Sequence, residues 1–168
     1  MDWTHFHLMT NHLPVIGAIF GLVILAWGMV RGSDDVKRIG LAVLIFTALI
    51  AIPVYLTGEP AEETVESLPG VVHDIIEEHE EFAIYALISA IVTGIASLAA
   101  LVFIGPGRDS YAKRYSLIAA LVLAGVTAAA MGWTANLGGV IRHTEIRGAS
   151  AQSAPMDSER GREKDEDH

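Results

Sequence analysis

The residues best equipped for chemistry in this chain are seven histidines, at positions 5, 7, 12, 73, 79, 143 and 168, and a dense set of carboxylates. The chain has no cysteine. That removes disulfides, thiolate metal sites, iron–sulfur clusters, Cys-attached haem and Cys nucleophiles, so any metal chemistry must use imidazole, carboxylate or thioether. Glu59, Glu62, Glu63 and Glu66 are spaced i, i+3, i+4, i+7, which lines one face of a helix; His73, Glu77, Glu80 and Glu81 recur at similar helical spacing, and His5, Met9 and His12 share a face of their own. Neutral imidazole suits Zn, Cu, Fe or Ni, carboxylates suit harder ions, and two imidazoles at matched depth can ligate haem iron axially.

The elements that must position these groups are membrane spans. Of the 168 residues 52% are hydrophobic and 18% charged, with mean hydropathy +0.43, against about 45–50% and about 25% for a soluble domain. The charges fall into clusters separated by four uncharged runs, at about 13–30, 39–56, 82–104 and 115–141. At 1.5 Å per residue each can cross a hydrocarbon core of about 30 Å. The expected fold is all-α: a polytopic four-helix membrane bundle over residues 1–147, built as two helical hairpins, with an acidic outer loop at 58–81 and a disordered polar tail at 148–168. The first run lacks a basic leader and a small-residue cleavage site, so it reads as a span and not as a cleaved signal peptide.

Orientation follows from the basic residues. Arg31, Lys37 and Arg38 lie between the first two spans and Arg108, Lys113 and Arg114 between the last two, whereas residues 58–81 contain no Lys or Arg. The positive-inside rule puts both short loops in the cytoplasm, so both termini and the acidic loop face the periplasm across a bacterial inner membrane. Tyr111, Tyr115 and Trp27 near one boundary, with Trp3, Tyr55 and Trp133 near the other, fit aromatic belts. Stripes at four-residue spacing, Gly17/Gly21, Ala86/Ala90/Gly94 and Ala120/Ala124/Ala128/Gly132, allow close helix approach. Pro53 is expected to kink the second span, Ala61 to Ser67 reads as a short interfacial helix, Gly138 and Gly139 are expected to end the last helix, and Asn136 is a candidate for a buried hydrogen bond.

With that topology every histidine falls on the outer side, and His12, His79 and His143 stand where three different helices meet the bilayer. They are the leading ligand candidates. Glu62, Glu63 and His73 are further metal ligands, and Arg142 is a partner for haem propionates. Haem b and a divalent Zn, Cu or Fe ion all remain open as cofactors. The net charge of −9 argues against nucleic acid, and no glycine-rich phosphate loop, nucleophile elbow, Glu-x-x-His di-iron pair or His-Glu-x-x-His zinc motif occurs. No motif names an enzymatic reaction.

The segments His7-Leu-Met-Thr-Asn-His12-Leu-Pro14, Pro53-Val-Tyr-Leu-Thr-Gly-Glu-Pro-Ala-Glu-Glu63, Glu78-His79-Glu80 and Trp133-Thr-Ala-Asn-Leu-Gly-Gly-Val-Ile-Arg-His143 resemble a family of uncharacterised bacterial four-helix integral membrane proteins. A Gly-Gly-x-hydrophobic-x-Tyr or -His signature closes its domain. The resemblance covers Trp3 to about Arg147 and implies, by matching position, that His12, Glu59, Glu62, Glu63, His79, Gly138, Gly139, Arg142 and His143 matter. The expected function is binding of haem b or a transition metal in the outer His/Glu layer, for electron transfer or metal handling. The rival is a non-catalytic accessory subunit or scaffold that docks a basic redox protein, or other subunits of a membrane complex, through its acidic face. The expected partners are thus the bilayer, such proteins and a second copy of the chain.

Overall fold

A computed structural model describes residues 3–61, 73–105 and 109–142. Among the described residues the fold is carried by α1 (Trp3–Thr10), α2 (His12–Val30), α3 (Asp34–Leu56), α4 (His73–Phe103) and α5 (Ser110–Arg142). The segments His5–Val30, Asp34–Leu56, Ile75–Phe103 and Ser110–Val140 are each long and apolar enough to cross a membrane. The protein is therefore an all-helical, multi-pass membrane bundle. α2 packs on α3, α3 on α4, α4 on α5 and α5 back on α2, which closes a four-membered ring. The remainder of the loop placed at 58–81, residues 62–72, and the whole 148–168 tail lie outside the described residues.

The helices outrun the uncharged stretches at both ends. α3 begins at Asp34 because the Ser33 hydroxyl accepts a hydrogen bond from the Val36 amide at 3.4 Å, and acidic residues are favourable in a first turn. α5 begins at Ser110 because the Asp109 carboxylate accepts from the amides of Tyr111 and Ala112, at 2.7 and 3.2 Å. Between α2 and α3 the chain reverses in three residues, and Gly32 takes φ 67° there, a backbone state that costs glycine nothing. The Arg38 guanidinium donates to the carbonyl of Ile104 just beyond α4, tying the two connections at this end together.

Small residues set the helix spacing, as the stripes imply. A Cβ added to Gly40 would sit 2.6 Å from the Leu25 amide nitrogen, and one added to Gly28 would sit 2.7 Å from that of Lys37; α2 and α3 touch backbone to backbone. Gly94 faces the Ala48 methyl in the same way on the α3–α4 seam. One apolar cluster, around Leu25, Leu41, Leu44, Ala100, Leu117 and Ala120, fills the basic end of the ring. Another, around Ala18, Ala51, Ala86, Ala90 and Met131, fills the opposite end. Buried Thr47, Thr93, Ser97 and Thr127 lie at intermediate positions along the same helices. The Thr93 and Thr127 hydroxyls bond each other at 2.8 Å, and Thr47 donates its hydroxyl proton to the Val43 carbonyl at 2.8 Å, so the three threonines find partners where water is scarce, whereas the Ser97 hydroxyl has none.

The outward faces carry Phe20, Val23, Phe46, Ile95 and Val122, all exposed, as lipid contact requires. Trp27, Trp133, Tyr111 and Tyr115 are also exposed, as belt residues would be. Two expectations change. Gly138 and Gly139 do not end the last helix, because α5 continues through them to Arg142, and among the described residues only Gly32 has positive φ. Asn136 is exposed, so it holds no buried bond. Pro53 lies inside α3, where it leaves the Leu49 carbonyl without its helical donor, and the helix runs on past it to Leu56.

Candidate functional site

The α1/α2 helix pair carries three histidines, of which His7 is turned inward. Its phase explains this. The buried residues of α2 include Pro14, Gly21 and Gly28, seven apart, and one further step back reaches His7; His5 and His12 fall off that line and are exposed, as is Met9. His7 reaches across to the end of α3, with Nδ1 at 3.0 Å from the Val54 carbonyl oxygen and 3.3 Å from the Thr57 hydroxyl. The Val54 carbonyl lies in the last turn of α3, where helices run out of intrahelical donors.

His79 occupies the matching position on α4. The residues at seven-residue steps from it, Ala86, Thr93 and Ala100, are buried. Its Nδ1 lies 3.0 Å from the Thr134 carbonyl oxygen on α5. Gly138, one turn on, makes room for the ring, since a Cβ there would meet His79 Cε1 at 3.2 Å. Gly138 thus serves as a slot for an imidazole.

A carbonyl oxygen can only accept, so Nδ1 of each ring carries the proton and Nε2 is left with a lone pair. Two half-buried imidazoles, each oriented through Nδ1 by a backbone carbonyl, thus stand at the end of the bundle opposite the basic loops. This is the outer-sphere arrangement that commonly presents Nε2 to a metal. Asn11, between α1 and α2, keeps its side-chain oxygen buried without a hydrogen-bond partner.

The other candidate residues distribute as follows. His12 is exposed at the start of α2, His73 opens α4 and Arg142 closes α5. Glu62, Glu63 and His143 lie outside the described residues. Glu59, Glu77, Glu78, Glu80 and Glu81 are exposed. Among the described residues no three His or carboxylate side chains gather into a group able to hold a metal ion; His7 and His79 are the two histidines turned inward, each onto a backbone carbonyl. His7 is not among the ligand candidates expected from the sequence, because its inward phase follows only from the burial of Pro14, Gly21 and Gly28. Compared with known proteins, the chain matches no family model, no curated protein and no solved structure.

Proposed function

We propose that the protein binds haem b or a divalent transition metal (Zn, Cu or Fe) at the acidic end of its membrane bundle, for electron transfer or metal handling, with His7 and His79 as the imidazole pair. One observation carries the reading: two half-buried rings on different helices, each with Nδ1 committed to a backbone carbonyl and Nε2 left to ligate. A haem would draw on two imidazole nitrogens and no third protein ligand, and His7 and His79 are the residues that would supply them. Arg142 would meet a propionate, while His12, Glu62, Glu63, His73 and His143 are the further donors a smaller ion would draw on. In this reading the acidic end faces the periplasm of a bacterial inner membrane, and the chain belongs to the four-helix family its motifs resemble.

The test is a reduced-minus-oxidised visible spectrum and elemental analysis on one detergent-purified sample. A b-type α band with stoichiometric iron, lost in His7→Ala and His79→Ala while the helical signal is kept, is the expected result for a haem. A colourless protein with stoichiometric Zn or Cu moves the function to metal handling. A protein without metal by both tests, which cannot be loaded with haem or with those ions, refutes the reading.

A second reading rests on the exposure of Glu59, Glu77, Glu78, Glu80 and Glu81 at the same end: an accessory subunit whose acidic face docks a basic redox protein. Such docking weakens steeply with ionic strength, whereas a ligated metal is retained.

A further inference from the structure

The opposite end of the bundle holds a second constellation, independent of the histidines. A cavity of about 280 Å³ opens between α2, the start of α3 and the first turns of α5, lined by Met29, Lys37, Ser110, Lys113, Arg114 and Leu117. Three of its six lining residues are cations, and one carboxylate organises two of them. The Asp34 oxygens bind Lys37 Nζ at 2.8 Å and Lys113 Nζ at 2.7 Å. The Lys37 side chain is only 10% exposed and that of Lys113 27%, so two ammonium groups are held side by side under partial cover. Each has three donors and spends one on Asp34. Arg114 is exposed and makes no ion pair with a carboxylate among the described residues. With Asp34 counted, the three cations leave the mouth of the cavity at net charge +2.

Holding like charges together costs free energy that an anion between them returns. The chemistry that fits is a phosphate, taken up by ammonium and guanidinium donors with the Ser110 hydroxyl beside them. The rest of the lining says what the phosphate is attached to. Met29 and Leu117 give the cavity an apolar wall that inorganic phosphate would not use. Tyr111 and Tyr115, exposed on the first turns of α5, and Trp27, exposed on α2 under the Arg31 guanidinium 5.5 Å from its ring, are the side chains that settle at headgroup depth. The volume is at the lower limit of small-molecule sites, about 300 Å³, enough for a headgroup while the acyl chains lie along the exposed helix faces.

We propose that this cavity binds the phosphate of an anionic phospholipid, with Lys37, Lys113 and Arg114 as its cations and Met29 and Leu117 against the adjoining hydrocarbon.

The experiment is native mass spectrometry of the full chain released from detergent containing equimolar phosphatidylglycerol and phosphatidylcholine with identical acyl chains. The expected result is preferential retention of phosphatidylglycerol, lowered about tenfold by Arg114→Gln, the loss of a charge-assisted hydrogen bond to the phosphate. Arg31→Gln removes the same charge from the same end but not from the cavity, and leaves retention unchanged. Lys113→Gln is the second variant, read alongside far-UV circular dichroism to confirm folding. Equal retention of the two lipids overturns the proposal, and so does an equal loss in Arg31→Gln and Arg114→Gln, which would mean diffuse surface charge. Complete displacement of the lipid by excess inorganic phosphate also overturns it, making the free anion the ligand.

Discussion

Gly40→Ala should destabilise the bundle, and the structure says by how much. Alanine is favoured over glycine inside a helix by about 1 kcal/mol, so the substitution starts with a gain. Against it, the new Cβ would stand 2.6 Å from the Leu25 amide nitrogen and 2.8 Å from Leu25 Cα. Ordinary contact begins at 3.4 Å, so the α2–α3 seam must open by about 0.8 Å; overpacking of this kind costs about 1–3 kcal/mol. The obstructing atoms are backbone, which cannot swing aside as a side chain can. Gly125 supplies the control, because a Cβ there meets nothing within 4 Å while the propensity gain is the same. Gly40→Ala should therefore fall below Gly125→Ala by about 1–3 kcal/mol, and Gly94→Ala should fall with it, because the Ala48 Cβ it meets at 2.6 Å is fixed to the backbone. The assay is unfolding by an SDS titration in mixed micelles, followed by far-UV circular dichroism. If Gly40→Ala proves as stable as Gly125→Ala, the α2–α3 seam is not a backbone contact and the packing argument fails.

Three further outcomes are expected. A Thr93→Val/Thr127→Val double-mutant cycle should give a coupling of about 0.6 kcal/mol, the usual strength of an interhelical hydrogen bond in a membrane; purely additive effects would mean that the 2.8 Å pair is energetically silent. Asp34→Asn should cost about 1 kcal/mol, because the largely buried Lys37 ammonium loses its carboxylate, whereas Asn at the exposed Asp35 should stay within about 0.5 kcal/mol of the parent in the same titration. Because the chain has no native cysteine, single-cysteine labelling is clean: with an impermeant maleimide on intact spheroplasts, Glu78→Cys should react and Asp35→Cys should not. The reverse pattern would invert the orientation drawn from the basic loops.

The span pattern was legible because lipid imposes one demand on every residue in a spanning helix. The backbone must satisfy itself and the outward side chains must be apolar, so runs without charge mark spans whatever their neighbours are. The boundaries were less legible. Asp34, Ser110 and the α4 residues from His73 onward are polar, yet the helices extend over them because capping hydroxyls and carboxylates, together with tertiary contacts, hold the ends. The Gly138–Gly139 pair looked like a helix stop because glycine frees the backbone. Packed against the His79 ring, Gly138 has the opposite use, giving up a side chain so that another fits.

Composition and spacing by themselves determined the membrane class, the four spans, the small-residue seams and the segregation of histidines and glutamates from the basic loops, since each is a property of single helices or of their order. Tertiary structure alone decided which histidines turn inward. His5, His7 and His12 lie within two helical turns, and only the choice of the Pro14, Gly21 and Gly28 line as the buried face of α2 sends His7 to the carbonyl of Val54 and leaves His12 exposed. The same holds for His79 and Thr134, and for Asp34 and Lys113: partners 55 and 79 residues apart meet only when the ring of helices closes. A linear pattern carries the phase of each helix but not the rotation that its neighbours impose.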